Sequence, residues 1–234
     1  MSLRVEVLAP EAWADGVASA WLRFLDQEPG ARLCLPTGNT PRPVYRSFVG
    51  RGGDLSRTTV FLLDEFGLPP GDRARCDSML ERDLLSRLPR RSLSFSSWDT
   101  EAADVDAECL RFESAVSNGG LDLTMLGIGA NGHLALNEPG SEAASPARVV
   151  ALHPETIEAA DRYALGPPPT WGMTLGLGSI LASRRIWLLV DGRHKAEILR
   201  SAIHGPVGSD VPASFLQDHA DVTVLADEAA AELL

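Results

Sequence analysis

A histidine directly behind a glycine-rich turn, with a carboxylate following it, is the most chemically suggestive feature of this sequence. It lies in LGIGANGHLALNEPG, residues 126–140. Histidine titrates near neutrality and can act as acid or base, and a nearby carboxylate can orient the ring and hold its charged form. His133 and Glu138 are therefore candidates for proton transfer. A histidine that merely satisfies loop carbonyls fits the spacing equally well. Asn131 can hydrogen-bond the same ring, although it stabilises an imidazolium less than an aspartate would. Gly127, Gly129 and Gly132 match G-x-G-x-x-G. A dinucleotide site, however, needs those glycines to open a helix facing the pyrophosphate, with an acid about 20 residues further on. Asn137-Glu138-Pro139-Gly140 cuts off any helix within a few residues, which argues against a cofactor loop.

Three other stretches carry groups of the right kind. Asp64 and Glu65 follow an apolar run, so they should point to opposite sides of a strand end and only one easily enters a crevice. Partial desolvation would raise the pKa of such a carboxylate and make Asp64 a general-base candidate, leaving Glu65 to cap the next turn. Thr37-Gly38-Asn39-Thr40 reads either as a phosphate cradle leading into a helix or as an ordinary turn and helix cap with Pro41 at the first helical position. Lys195 sits near a helix start, where cations are disfavoured. A bound anion would remove that penalty, which points to Lys195 as a phosphate ligand.

These residues need elements that bring them together. The spacing predicts a helix from Pro10 to about Glu28, with Trp13, Val17, Trp21 and Phe24 on one face. Strands are predicted at 31–36, 58–63, 121–126, 171–177, 184–190 and 221–227, with a weaker one in SLSFSSW. Helices are predicted through Val44, Tyr45 and Phe48, over 76–88, over 101–117 and briefly at the C-terminus. Alternating units of this size imply an α/β fold: an open, mostly parallel, doubly wound (Rossmann-like) sheet with helices on both faces. The loops PGSEAASP and Gly166-Pro-Pro-Pro169 read as surface loops, so residues 1–234 are expected to form one domain. Ligands bind beyond the carboxyl ends of strands in such sheets. The turn at 37–40, Asp64, the His133 loop and Lys195 each follow a predicted strand, so all should face one crevice.

Composition narrows the setting. The 234 residues are 44% hydrophobic and 23% charged, with a formal net charge of -11. That charge argues against nucleic acid or an anionic membrane as partner, but not against an anionic metabolite held locally by amides and a few basic groups. No apolar run is long enough to span a bilayer, and MSLRVEVLAP lacks a signal-peptide core. Cys34, Cys76 and Cys109 show no metal-site spacing. An odd count without a secretory signal implies reduced thiols in a cytoplasmic protein.

PTGNTPRPVY, LLDEFGLP, LGIGANGHLALNEPG, GMTLGLGSIL and DVPASFLQDHADVTVLAD, in that order, resemble the glucosamine-6-phosphate deaminase (hexosamine-phosphate isomerase) family over nearly the whole chain. The short length, Asn131, RCDSML and VPASFL are most similar to the galactosamine-6-phosphate branch and to short bacterial glucosamine enzymes. The resemblance implies aldose–ketose isomerisation of a phosphorylated amino sugar with loss of ammonia, without a metal or redox cofactor. It implies that Asp64 moves the proton between C2 and C1. His133 would assist ring opening, oriented by Glu138 and Asn131, while Thr37, Gly38, Asn39, Thr40, Lys195 and Arg162 would hold the 6-phosphate. Many long members carry aspartate at the place of Asn131, and related chains often carry arginine where Trp171 stands. The chain also stops without the extension associated with hexameric, allosterically regulated members, so that regulation is not expected. Its partners are expected to be a small phosphorylated amino sugar and, at most, copies of itself, as a monomer or small homo-oligomer. A 6-phosphogluconolactonase is the alternative enzyme. Phe66 and Asn137-Glu138-Pro139 depart from the lactonase pattern of D-E-R and serine-phenylalanine. A non-catalytic sugar-phosphate sensor is the alternative from another class, and the chain lacks a basic helical segment for DNA.

Overall fold

The computed structural model describes residues 3–89, 93–161 and 166–234. Seven parallel strands form the main sheet in the order β1-β10-β9-β6-β2-β3-β5. These are Leu3–Leu8 (β1), Arg32–Leu35 (β2), Thr59–Leu62 (β3), Ser94–Ser96 (β5), Leu123–Leu126 (β6), Ile186–Val190 (β9) and Val222–Asp227 (β10). The central strands β6 and β9 are buried throughout, as expected of a sheet covered on both faces.

Helix α1 (Pro10–Gln27) begins with proline at its first turn and buries Trp13, Val17, Trp21 and Phe24. It packs on α2 (Pro41–Gly50), where Trp21 stacks on Phe48 at 3.9 Å between ring centroids. Phe24 meets Trp187 edge-on, which places α1 on the Trp187 face of the sheet. Phe61 points to the opposite face and meets Phe112 of α4 (Val105–Ser117) edge to face at 6.0 Å. Helices thus cover both faces.

A second, antiparallel sheet of order β4-β8-β7 is built from Asp64–Phe66 (β4), Trp171–Thr174 (β8) and Arg148–Ala151 (β7). This corrects two expectations. The run 171–177 is not a member of the parallel series, and Asp64-Glu65 is not simply the end of β3. The chain leaves β3 at Leu62 and starts a new strand that pairs Asp64 with Thr174 and Glu65 with Met173. Local apolar patterning marks both segments as extended but cannot name their partners.

Further differences are local. The helix expected over 76–88 is α3 (Cys76–Asp83) followed by a 3-10 turn at Leu85–Arg87. The expected terminal helix is only a series of turns after Asp227. Strands β1 and β7 and helices α5 (Pro154–Asp161) and α6 (Leu177–Leu181) are additional to the expected elements. Helix α7 (Ala196–His204) follows a 3-10 turn at Arg193–Lys195. Among the described residues no helix is long and apolar enough to cross a membrane.

Candidate active site

Parallel pairing puts the carboxyl ends of β2, β3, β6 and β9 side by side, and a cleft of about 390 Å³ opens there. Thr37, Gly38, Asn39 and Thr40 line one side of it, following β2. Asp64, His133 and Lys195 line the rest, together with Cys76, Thr156 and Glu155. The convergence arises because one sheet edge collects loops that are far apart in sequence.

The pair Asp64-Glu65 is split by the pleat of β4. Asp64 faces the cleft, where burial raises its carboxyl to about 6, opposed by a hydrogen bond from the Cys76 thiol and by the charge of His133. Glu65 is fully buried on the other side. Its oxygens accept from the backbone N–H groups of Phe66 at 2.8 Å, Cys76 at 2.8 Å and Asp77 at 2.9 Å. Arg75 adds an ion pair at 3.4 Å. Glu65 thereby caps α3 and pins that helix to the strand carrying Asp64.

The glycine loop ends in a tight bridge between Leu134 and Asn137, and no helix follows its glycines. Buried Asn137 holds the turn by donating to the carbonyls of Leu134 at 3.0 Å and Leu175 at 2.9 Å, while its own oxygen accepts from Arg148 at 2.8 Å. The His133 Nδ1 lies 3.2 Å from Glu138 Oε2. That nitrogen is buried and off the line of a well-aligned hydrogen bond, so a slight turn of the ring would complete the contact. Burial works against ionisation of Glu138, but His133, Thr156 and Asn131 outweigh it and hold the carboxyl down at about 2. The expected contact of Asn131 with the imidazole is not made. Its amide instead donates to Glu138 Oε2 at 2.8 Å, and its carbonyl accepts from the backbone N–H of His133 at 3.2 Å. Thr156 of α5 donates to Glu138 Oε1 at 2.6 Å. Glu138 and Asn131 therefore stand behind His133 and not in the cleft wall.

At the opposite end, Thr40 occupies the N-cap position of α2 without capping it. Its hydroxyl donates to Asp191 at 2.6 Å. Pro41 and Pro43 lack N–H groups, which leaves few donors at this helix start; an anion here would have to rely mainly on the glycine turn and a side-chain cation. Gly38 has φ +98°, a conformation that other residues adopt only under strain. Burial lowers the pKa of Lys195, with Asp191 partly offsetting it. Among the described residues no carboxylate forms an ion pair with Lys195. A half-buried cation that no described carboxylate approaches within ion-pair distance could serve as an anion ligand.

The profile for glucosamine-6-phosphate isomerases/6-phosphogluconolactonase matches residues 6–225. The chain belongs to this isomerase/lactonase family. Among its relatives, the glucosamine-6-phosphate deaminase of Pseudarthrobacter chlorophenolicus is 39% identical over 93% of this chain and 86% of its own length. That of Bacillus velezensis is 36% identical over 94% of this chain and 95% of its own. A solved monomeric glucosamine-6-phosphate deaminase superposes with a TM-score of 0.92 at 33% identity, covering 99% of this chain and 100% of that one. The 6-phosphogluconolactonase of Thermotoga maritima shares the fold with a TM-score of 0.77 at 19% identity, over 97% and 99% of the two chains.

On this isomerase/lactonase fold, Thr37, Gly38, Asn39, Thr40, Asp64, His133 and Lys195 come together, with Asn131 and Glu138 behind the histidine. Arg162 lies outside the described residues. Thr156 had no local signal, because its partner Glu138 is on another element. Cys76 was visible only as one of three thiols. Among the described residues no group of three His, Cys, Asp or Glu side chains is arranged to hold a metal. A carboxylate titrating near neutrality opposite a histidine can take a proton from carbon and return it nearby, and a cation and glycine turn can hold an anion at the far end.

Gly129 gives a direct test of this geometry. A Cβ there would fall 2.3 Å from the His133 ring. Gly129→Ala should displace the imidazole and cut turnover about 10²-fold, the cost of an ångström-scale misplacement. Steady-state kinetics with a thermal melt would check it, and unchanged turnover would show that the ring position is not limiting.

Proposed function

We propose that this protein is a glucosamine-6-phosphate deaminase, acting as one domain across its 234 residues. The observation that carries this is the pairing of Asp64, poised near neutrality, with His133 across a cleft that ends in Lys195 and the 37–40 turn. The 6-phosphate sits against Lys195, Thr37, Gly38, Asn39 and Thr40. His133, held by Glu138, transfers a proton at the ring oxygen and the sugar opens to its aldehyde. Asp64 then removes the C2 proton; its electron pair forms the C1–C2 double bond of an enolamine while the carbonyl pair moves to O1, which takes up the proton that His133 received from O1 as the ring opened. Asp64 returns its proton to C1 as the nitrogen lone pair forms the C2–N double bond. The resulting C2 imine takes up water and releases ammonia, leaving the ketose 6-phosphate. Net uptake of water makes the overall change hydrolytic.

The relatives named above favour the gluco epimer. The purified protein, without added metal, should release ammonia from glucosamine 6-phosphate at a higher kcat/KM than from galactosamine 6-phosphate. Ammonia from neither epimer would defeat the proposal, and turnover of 6-phosphogluconolactone in its place would establish the lactonase. We further propose a monomer in the cytoplasm, the former in keeping with the monomeric deaminase of the same fold.

A further inference from the structure

The Thr40 hydroxyl donates to the Asp191 carboxylate at 2.6 Å, a length within the range of a hydroxyl bonded to a charged acceptor. The contact joins two loops that no strand pairing connects. Thr40 follows β2 and Asp191 directly follows β9, and these strands lie on either side of β6 in the sheet. The bond therefore passes over the carboxyl end of β6, where the chain enters the His133 loop. Each end of it is anchored separately. Beside Asp191, the Gly192 N–H donates to both oxygens of Asp227 at 3.1 Å, and Asp227 also accepts from the Ala230 N–H at 2.7 Å. The Lys195 N–H donates to the Gly192 carbonyl at 3.0 Å, so Asp191 and Lys195 belong to one hydrogen-bonded turn. On the other side, Thr40 precedes α2, whose Pro41, Val44, Tyr45 and Phe48 are buried. Among the described residues the Thr40 hydroxyl is the one group that donates to the Asp191 side chain.

We propose that Asp191 is a positioning residue for phosphate binding: by holding the Thr40 hydroxyl it sets the gap between the 37–40 turn and Lys195 to fit the 6-phosphate. A hydroxyl has one proton to donate. With that proton committed to Asp191, the Thr40 side chain offers the cleft only lone pairs, which repel an anion. The phosphate is then held by the Thr37 hydroxyl, the N–H groups of the turn and Lys195, and the Thr40 side chain serves as a strut. The Asp191 carboxylate also brings a negative charge to the anion end of the cleft, which opposes the ligand. Solvent and salt in an open cleft screen that repulsion, so the strut outweighs it. Link and charge act on affinity in opposite directions, and substitution can separate them.

This inference rests on the deaminase proposal for its substrate, and the tests separate the two. Ammonia release by the wild-type protein tests the reaction alone, while inorganic phosphate probes the anion end whatever the reaction. Asp191→Ala should raise KM and the inhibition constant of phosphate about three- to tenfold, at or below the lower end of what outer hydrogen-bond partners contribute at metal sites. The effect on kcat should be smaller, because the phosphate is held equally before and during proton transfer. Asp191→Asn keeps an acceptor for Thr40 and drops the charge, so both constants should return to wild-type values or below. Thr40→Val cuts the link from the other end and should weaken binding at least as much as Asp191→Ala. The double variant should bind phosphate no more weakly than Asp191→Ala alone. Wild-type or tighter phosphate binding in Asp191→Ala would overturn the proposal, as would an asparagine variant no better than alanine. A double variant weaker than Asp191→Ala would do the same, because the hydroxyl would then be a phosphate ligand itself. A crystal structure of the wild-type protein with inorganic phosphate decides without any variant, including where the alanine variant does not fold. It should keep the bond from Thr40 to Asp191, and a Thr40 hydroxyl turned to the phosphate would defeat the assignment.

Discussion

Asp64→Asn should lower kcat about 10³-fold with KM changed only a few-fold, within the range by which a positioned base accelerates proton transfer. Asparagine has nearly the same shape, but it cannot take a proton from C2. The wild-type enzyme should lose kcat/KM as pH falls through about 6, because the base must be ionised. The stability consequence has the opposite sign from that of an ordinary catalytic knockout. A folded pKa of about 6 against 3.8 for an unperturbed aspartate means that the folded state binds this proton more tightly. Asp64 therefore costs nothing below about pH 4, and its cost grows between about pH 4 and 6 and stays in full above. At pH 7.5 that cost has a ceiling of about 3 kcal/mol by linkage, reduced by the solvent that reaches the open cleft. Asp64→Asn should consequently melt at or above the wild-type temperature at pH 7.5, with the difference vanishing near pH 4. A variant that lost activity and also melted lower at pH 7.5 would contradict the placement of Asp64.

Lys195→Met should raise KM about 10²-fold, since hydrogen bonds to charged groups contribute about 1.5–3 kcal/mol each and phosphate recruits several at once. The effect falls mainly on KM because the phosphate is remote from the reacting carbons and is held equally before and during proton transfer. Inorganic phosphate offers a substrate-free check. It should inhibit the wild-type enzyme competitively and raise its melting temperature in proportion to binding, and do neither in the variant. Replacing a half-buried cation that makes no ion pair among the described residues by an apolar chain should not destabilise the fold. Unchanged phosphate inhibition in Lys195→Met would move the phosphate elsewhere in the cleft.

The cleft also explains why neighbouring residues of similar chemistry diverge. Asp64 and Glu65 are both carboxylates on one short strand, yet the pleat sends Asp64 into the cleft wall and Glu65 to three N–H groups and an arginine. Glu138 carries a third arrangement, with donors on both oxygens and a carboxyl held down at about 2. The proposed base, Asp64, and the proposed orienting anion, Glu138, thus differ by environment and not by functional group.

Much of this was legible in residue order. Apolar runs and their spacing located α1, β2, β3, β6, β9 and β10, because one helical or extended face must be buried whatever it packs against. The end of a parallel strand is likewise a local fact, so Asp64, His133, Lys195 and the 37–40 turn could be nominated for one crevice before any contact was known. Tertiary structure alone decided how they are partnered. It gave Asn131 to Glu138 and not to the imidazole, drew the Thr40 hydroxyl to Asp191, and brought Thr156 from α5 and Cys76 from α3 into the site. It also moved β4 and β8 out of the parallel series into a sheet of their own. The physical reason is range: periodicity and turn chemistry act over a few residues, whereas a hydrogen bond such as that of Thr156 to Glu138 exists only once the packing of distant elements has set the distance between them.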